Sequence, residues 1–238
     1  MLREKIFGET HHEKFRHRAH EILKVEALSD AAFAFSVSLL VASLEVPQTF
    51  DELSIIIAGA LPFFATVAIL FLLWYQQYIF FRHYGLNDLT TIVLNLVYLA
   101  FILFYIYPLK FLFSLLLTSW TGIGLFPRAS GRTIITGQQF PQVVILFSVG
   151  YFVIWLLLYV LHRRAMRFSR ELQLNQYELW YTKKEQRGAL MNALIGGAAT
   201  MLALLNMEQI SGTCYLLIPL VLILNEVLFS RKRKQLGI

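Results

Sequence analysis

Apolar residues along the chain gather into long, nearly unbroken runs set apart by short polar or charged stretches. Six runs approach or exceed the roughly 20 residues a helix needs to cross a hydrocarbon core. They are Ala27 to Leu44, Leu53 to Tyr78, Leu89 to Leu117, Val143 to Leu161, Ala189 to Met207 and Cys214 to Phe229. Their continuity excludes an outer-membrane barrel, whose strands alternate apolar and polar residues over shorter segments. The pattern predicts an all-α fold, a polytopic membrane bundle of six transmembrane helices in a single domain over residues 1–238. No internal repeat or low-complexity tract points to a second domain.

The breaks between runs carry helix-end chemistry. Thr49, with Glu52 three positions on, suits the N-cap of the second span. Gly85 suits its C-terminus, and Asn87 or Asp88 the N-cap of the third. Pro108 predicts a kink in the third span near the outer interface, with Lys110 snorkelling to headgroups. The aromatic stretch "WYQQYIFFRHY" at 74–84 reads as an interfacial belt. The mixed-charge stretch 163–187 predicts a solvated helix continuing span four. Asn192, Asn206 and Asn225 can bond between helices, and "GGAA" at 196–199 allows close helix contact.

Composition agrees: 57% hydrophobic and 15% charged residues, with a mean hydropathy of +0.59, mark an integral membrane protein. The first 24 residues lack the short apolar core and small-residue cleavage site of a secretory signal, so they are expected as a retained tail. Cys214, the only cysteine, rules out an intrachain disulfide or a cysteine-based zinc site.

The net charge of +6 gains meaning from its placement. Arg3, Lys5, Lys14, Arg16, Arg18 and Lys24 precede span one, and Arg82 lies between spans two and three. Arg163, Arg164, Arg167, Arg170, Lys183, Lys184 and Arg187 lie between four and five, and "RKRK" at 231–234 falls in the tail 230–238. The alternate connectors hold only Arg128 and Arg132. By the positive-inside rule both termini and the 163–187 loop are cytoplasmic, which requires an even number of spans. The basic tails suit anionic lipid headgroups. Without an aromatic-interleaved recognition motif, no nucleic-acid partner is expected.

Catalytic patterns are missing. There is no G-x-S-x-G elbow and no H-E-x-x-H, and His11, His12, His17, His20, His83 and His162 all read as lying at or outside the membrane surface. Loosely spaced tail histidines do not make a metal site, so no metal or other cofactor is expected. The deep spans carry almost no ionisable residues and no matched broken helices, which argues against an intramembrane enzyme and a coupled transporter. "TGIGLF" at 121–126 has its glycines out of register with the TVGYG potassium filter. A pore lined by small, hydroxyl and apolar side chains needs none of these devices, because hydrophobic constrictions gate by dewetting.

Span one suits such a pore. In "KVEALSDAAFAFSVSLLV" (24–41) and the residue after it, Ala31, Phe35, Ser38 and Ala42 share one helical stripe, with Leu39 adjacent. Repeated around a symmetry axis, the stripe gives an aromatic ring at Phe35 and a hydroxyl ring at Ser38. The same small residues also suit close helix packing, and periodicity does not separate the two.

The stretch resembles the R-x-x-x-F-S-D signature, followed by G-V-F-A-I-A-I-T-L-L, that opens the first helix of the transmembrane protein 175 family, potassium channels of endolysosomes and their bacterial homologues. The matching residues are Lys24, Leu28, Ser29 and Asp30, then Ala31 to Leu40. The family's W-x-x-H on helix two is similar to Trp74 and Gln77, and its D-x(6)-N on helix three to Asp88 and Asn95.

This resemblance implies a homotetramer conducting potassium along helix one, in a bacterial inner (plasma) membrane. It implies Phe35 as a hydrophobic constriction, Ser38 as the hydroxyl layer linked to potassium preference, and Ala31, Leu39 and Ala42 as pore-facing turns. Lys24, Ser29, Asp30, Trp74, Gln77, Asp88 and Asn95 would form a polar network at the cytoplasmic end.

The departures have chemical consequences. Lys24 lacks the planar fork of arginine, and Gln77 keeps hydrogen bonding but loses a titratable ring. Phe35 plugs more than an aliphatic residue, and Ser38 keeps the hydroxyl of threonine without its methyl. The reading is a weakly selective, potassium-permeable channel and not an enzyme. The alternative is a poorly conducting bundle acting as a regulated cation leak or scaffold.

Overall fold

The computed structural model describes residues 15–18, 22–44, 46–122, 134–137 and 139–236. These fold into α1 (Lys24–Ala42), α2 (Phe50–Ala58), α3 (Ala60–Tyr84), α4 (Leu89–Thr121), α5 (Phe140–Arg167), α6 (Gln176–Leu204), α7 (Glu208–Thr213) and α8 (Leu217–Leu236), with a 3-10 turn at Cys214–Leu216. No strand occurs among the described residues. With α2 and α3 joined at Gly59 as one span, 6 helices are long and apolar enough to cross a membrane, as the runs predict. His11, His12, His20, Arg128 and Arg132, with most of "TGIGLF", lie outside the described residues.

The helix ends follow their local chemistry. Thr49 Oγ1 accepts from the Glu52 amide at 3.2 Å, and Asp88 Oδ2 accepts from the Thr90 and Thr91 amides at 3.1 and 3.2 Å. Gly85 closes α3 at φ 58°, a left-handed conformation that a Cβ would strain. Pro108 sits inside α4 without ending it. Lys110 Nζ donates to Ser43 Oγ at 2.6 Å, so this lysine tethers α4 to the C-terminal end of α1.

Helix α1 packs on α3 and α4, while α5 and α6 form the most extensive interhelical contact and α8 lies on α6. The bundle thus has two three-span halves, joined chiefly where α4 meets α5. In lipid, helix association rests on close packing and interhelical hydrogen bonds. Both are present between α5 and α6. A Cβ at Gly196 would lie 2.9 Å from the Phe152 amide nitrogen, so the two backbones touch there. Tyr151 Oη donates to Asn192 Oδ1 at 2.7 Å, and Asn225 Nδ2 of α8 donates to the Lys184 carbonyl at 3.1 Å. Among the described residues Asn206 makes no such bridge; at φ 56° it takes the left-handed position just past α6.

The 163–187 stretch departs from expectation. Helix α5 ends at Arg167, the chain reverses through Gln173 at φ 48°, and α6 starts anew. Asn175 Oδ1 accepts from the Glu178 amide at 2.8 Å while Glu178 Oε2 accepts from the Asn175 amide at 2.9 Å. This reciprocal cap fixes a helix start, so the extension belongs to span five rather than span four. Nor is it simply solvated, because Glu178 and Thr182 are 0% exposed. Of the described histidines, His83 and His162 are buried among aromatic rings near the ends of α3 and α5, and His17 is exposed.

Candidate pore face and its polar anchors

Helix α1 has two unlike faces. Ser29, Phe33, Ser36 and Leu40 are buried against α3 and α4, whereas Ala31, Phe35, Ser38 and Ala42 are exposed and Leu39 is half-buried. Phe35 is 56% exposed, a large aromatic left uncovered by the described residues of the protomer. Ser38 Oγ donates to the Ala34 carbonyl at 3.0 Å. Its hydrogen is therefore spent on the helix, leaving oxygen lone pairs on the exposed face, the polarity a cation requires. Ser36 spends its hydroxyl in the same way, on Ala32 at 2.8 Å, but faces inward.

The buried face is pinned by a compact polar cluster. Ser29 Oγ accepts from Gln77 Nε2 at 2.5 Å and Asn95 Nδ2 at 3.0 Å, and donates to the Val25 carbonyl at 2.7 Å. Gln77 Nε2 also donates to Asn95 Oδ1 at 2.5 Å. One residue each from α1, α3 and α4 thus meet at one level, all at most 2% exposed. Such a cluster fixes rotation as well as position, because turning α1 by one residue would remove the Ser29 acceptor from both buried amides and leave the Asn95 Nδ2 donor without its partner in the cluster.

The other sequence-selected residues divide into separate groups. Trp74 Nε1 donates to Asp30 Oδ1 at 2.7 Å, on the exposed side of α1. Asp88 joins Thr91 and Arg164: Thr91 Oγ1 donates to Asp88 Oδ1 at 2.5 Å, Arg164 Nε donates to Thr91 Oγ1 at 3.0 Å, and the Arg164 guanidinium pairs with Asp88 Oδ2. Burial opposes ionisation of Asp88, but the bonds from Thr91 and Arg164 outweigh it and hold the carboxyl below its ordinary range. Lys24 is exposed and joins none of these groups through the described residues of its own chain.

The most heavily bonded charge at this end was not selected from the sequence. The Glu178 carboxylate, 0% exposed, receives Arg18 Nη2 at 2.7 Å, Arg16 Nη2 at 3.2 Å and the Arg16 amide at 2.9 Å. Phe15 stacks on His83 at 3.9 Å between centroids, and the Arg18 amide donates to the Arg82 carbonyl at 3.1 Å. Residues 15–18, ahead of α1, are thereby held on α3 and α6. An acid three residues after Asn175 was the available signal, a capping-box spacing at the start of a new helix. Glu26 was similarly passed over: it accepts from the Leu23 amide at 2.8 Å and lies 4.0 Å from Arg82 Nε.

Comparisons with known proteins converge. The profile of the endosomal/lysosomal potassium channel TMEM175 matches residues 24–105, the stretch holding the α1 stripe and the Ser29–Gln77–Asn95 cluster. A potassium channel of Marivirga tractuosa is 31% identical over 231 residues, which is 93% of this chain and 94% of the relative. The crystal structure of a variant of the potassium channel MtTMEM175, bound to a nanobody–MBP fusion, superposes with a TM-score of 0.81 at 30% identity, covering 94% of this chain and 100% of that one. A TMEM175 homologue from Chamaesiphon minutus shares the fold at a TM-score of 0.52 and 18% identity, covering 85% of this chain and 96% of that one. The chain belongs to the TMEM175 potassium channel family.

Proposed function

We propose that four copies of this chain assemble around α1 and conduct potassium with weak selectivity, Phe35 forming the hydrophobic constriction and Ser38 the polar layer. The observation that carries this reading is the division of α1: Ala31, Phe35, Ser38 and Ala42 are uncovered while the opposite face is pinned to α3 and α4. A single six-span chain gives such a stripe nothing to enclose. A symmetry axis does.

The potassium channels among its relatives support the permeant ion. The polar groups then have a mechanical role, holding the inner face of α1 so that the outer stripe keeps one rotation. Lys24, unpaired among the described residues of its protomer, is available to a neighbouring subunit. In a bacterial inner membrane, Arg16, Arg18, Arg82 and Arg164, which gather at one end of the bundle, would lie on the cytoplasmic side with both termini, near anionic headgroups.

The test is potassium flux into liposomes containing the purified protein. Phe35→Ala is expected to raise flux by relieving the constriction, and Ser38→Ala to lower preference for potassium over sodium. Unchanged flux and selectivity in both variants would remove α1 from the pore. A stable tetramer that passes no monovalent cation would instead favour the scaffold reading.

A further inference from the structure

Lys110 is the single charged residue of α4. A lysine near a membrane boundary usually extends along its helix to reach lipid headgroups. This one reaches α1 instead. Its Nζ donates to Ser43 Oγ at 2.6 Å, and Ser43 Oγ donates in turn to the Leu40 carbonyl at 2.7 Å.

The contact does more than tie two helices. The last turn of α1 contains no basic residue, so the positive charge at its carbonyl-rich, negative end comes from another helix. That charge is not neutralised: among the described residues no carboxylate pairs with Lys110. Asp51 and Glu52 lie in the first turn of α2, where Glu52 Oε2 accepts from the Gln48 amide at 2.7 Å.

The place of Ser43 gives the charge its meaning. Ala42 is the outermost member of the exposed stripe, and Ser43, itself exposed, is the next residue, about 100° further round the helix. The ammonium is thus held beside the outer end of the stripe. Ala31, Phe35, Ser38 and Ala42 carry no charge to offset it. Repulsion of a passing cation acts over distance and requires no contact.

The inference that follows rests on the reading of α1 as the pore wall, which brings one such charge from each subunit to the same level around the axis. We infer that Lys110, clamped on Ser43, is a fixed positive charge at the outer mouth of the pore that opposes cation entry and limits flux. Low-dielectric walls around a narrow mouth focus its field.

The test is potassium flux into liposomes containing the full-length protein, at one potassium gradient and two ionic strengths set with choline chloride, about 10 mM and about 1 M, between which the screening length falls from about 30 Å to about 3 Å. Lys110→Gln keeps a donor for Ser43 and removes the charge. It is expected to raise flux about threefold or more at low ionic strength and to stay within about 1.5-fold of wild type at high ionic strength. Lys110→Arg, which keeps the charge, should retain the wild-type salt dependence. If Lys110→Gln fails to fold, Ser43→Asp, which sets a carboxylate against the ammonium, carries the same test with the lysine in place. Flux raised equally at both ionic strengths would assign Lys110 a packing role and overturn the inference. So would no rise at low ionic strength while Phe35→Ala still raises flux. No response in Phe35→Ala either would remove the pore reading itself, and the inference with it.

Discussion

The Ser29–Gln77–Asn95 cluster and the group of Lys184, Glu185, Asn225 and Glu226 on α6 and α8 are both sets of polar side chains between helices, yet their hydrogen-bond accounts end differently. In the first, the hydroxyl accepts two amide donors and gives its own hydrogen to a carbonyl. In the second, Asn225 Oδ1 is left without a partner and Lys184 is drawn towards Glu226 and away from Glu185. A closed account ties helices together and is worth most when complete, whereas an open one leaves a buried acceptor unsatisfied at a cost in stability. The closed cluster lies behind the candidate pore face and reads as its anchor.

The largest effect should come from opening the closed account. Gln77→Leu leaves Asn95 Oδ1 without its donor and is expected to cost about 1–3 kcal/mol, the usual penalty for orphaning a buried polar group. Thermal melting of the detergent-solubilised protein reads this directly, and Gln77→His, which keeps a donor, should recover part of the loss. A melt of Gln77→Leu matching wild type would mean that the cluster does not anchor α1.

A smaller effect follows at Glu178. Glu178→Gln weakens the hold on Arg16 and Arg18 and should cost about 1–2 kcal/mol, less than a fully buried pair because the Arg16 side chain is 55% exposed. Trypsin should then cut after Arg16 and Arg18 faster than in wild type. Equal cleavage rates would show that the Phe15–His83 stack and the bonds from Arg18 to backbone carbonyls hold the segment without the carboxylate.

The smallest effect belongs to Asp88, whose side chain is 36% exposed. Asp88→Asn should cost below about 1 kcal/mol at neutral pH. Its carboxyl is held below the ordinary range when folded, so its contribution is complete above about pH 4 and is lost as pH falls through the lower folded value. Stability of wild type should therefore decline more steeply than that of Asp88→Asn in acid, as followed by melting temperature against pH. Parallel profiles would remove the Arg164 pair from the account.

Much of this architecture is legible in the chain because a bilayer leaves few choices. Backbone groups in hydrocarbon must be satisfied within a helix, so long apolar runs fix the spans, and Thr49, Gly85 and Asp88 fix their ends through local geometry alone. The α1 stripe is visible for the same reason, since a period of 3.6 residues places Ala31, Phe35, Ser38 and Ala42 on one side whatever they face.

Partnership is another matter. Asp88 lies seven residues before Asn95 and shares one sequence pattern with it, but the tertiary structure sends Asp88 to Arg164 and Asn95 to Gln77 and Ser29. Glu178, one of three acids in a basic stretch, reads as solvated until the chain reversal at Gln173 and residues 15–18 close over it.

The sequence by itself determined the membrane class, the number of spans, their caps and the two-faced character of α1, because each depends on contacts within a few residues or on the solvent around them. Only the tertiary structure decided which polar groups meet and which are left unpaired. Those outcomes depend on how helices far apart in the chain are rotated against one another, and interhelical packing, not local periodicity, sets that rotation.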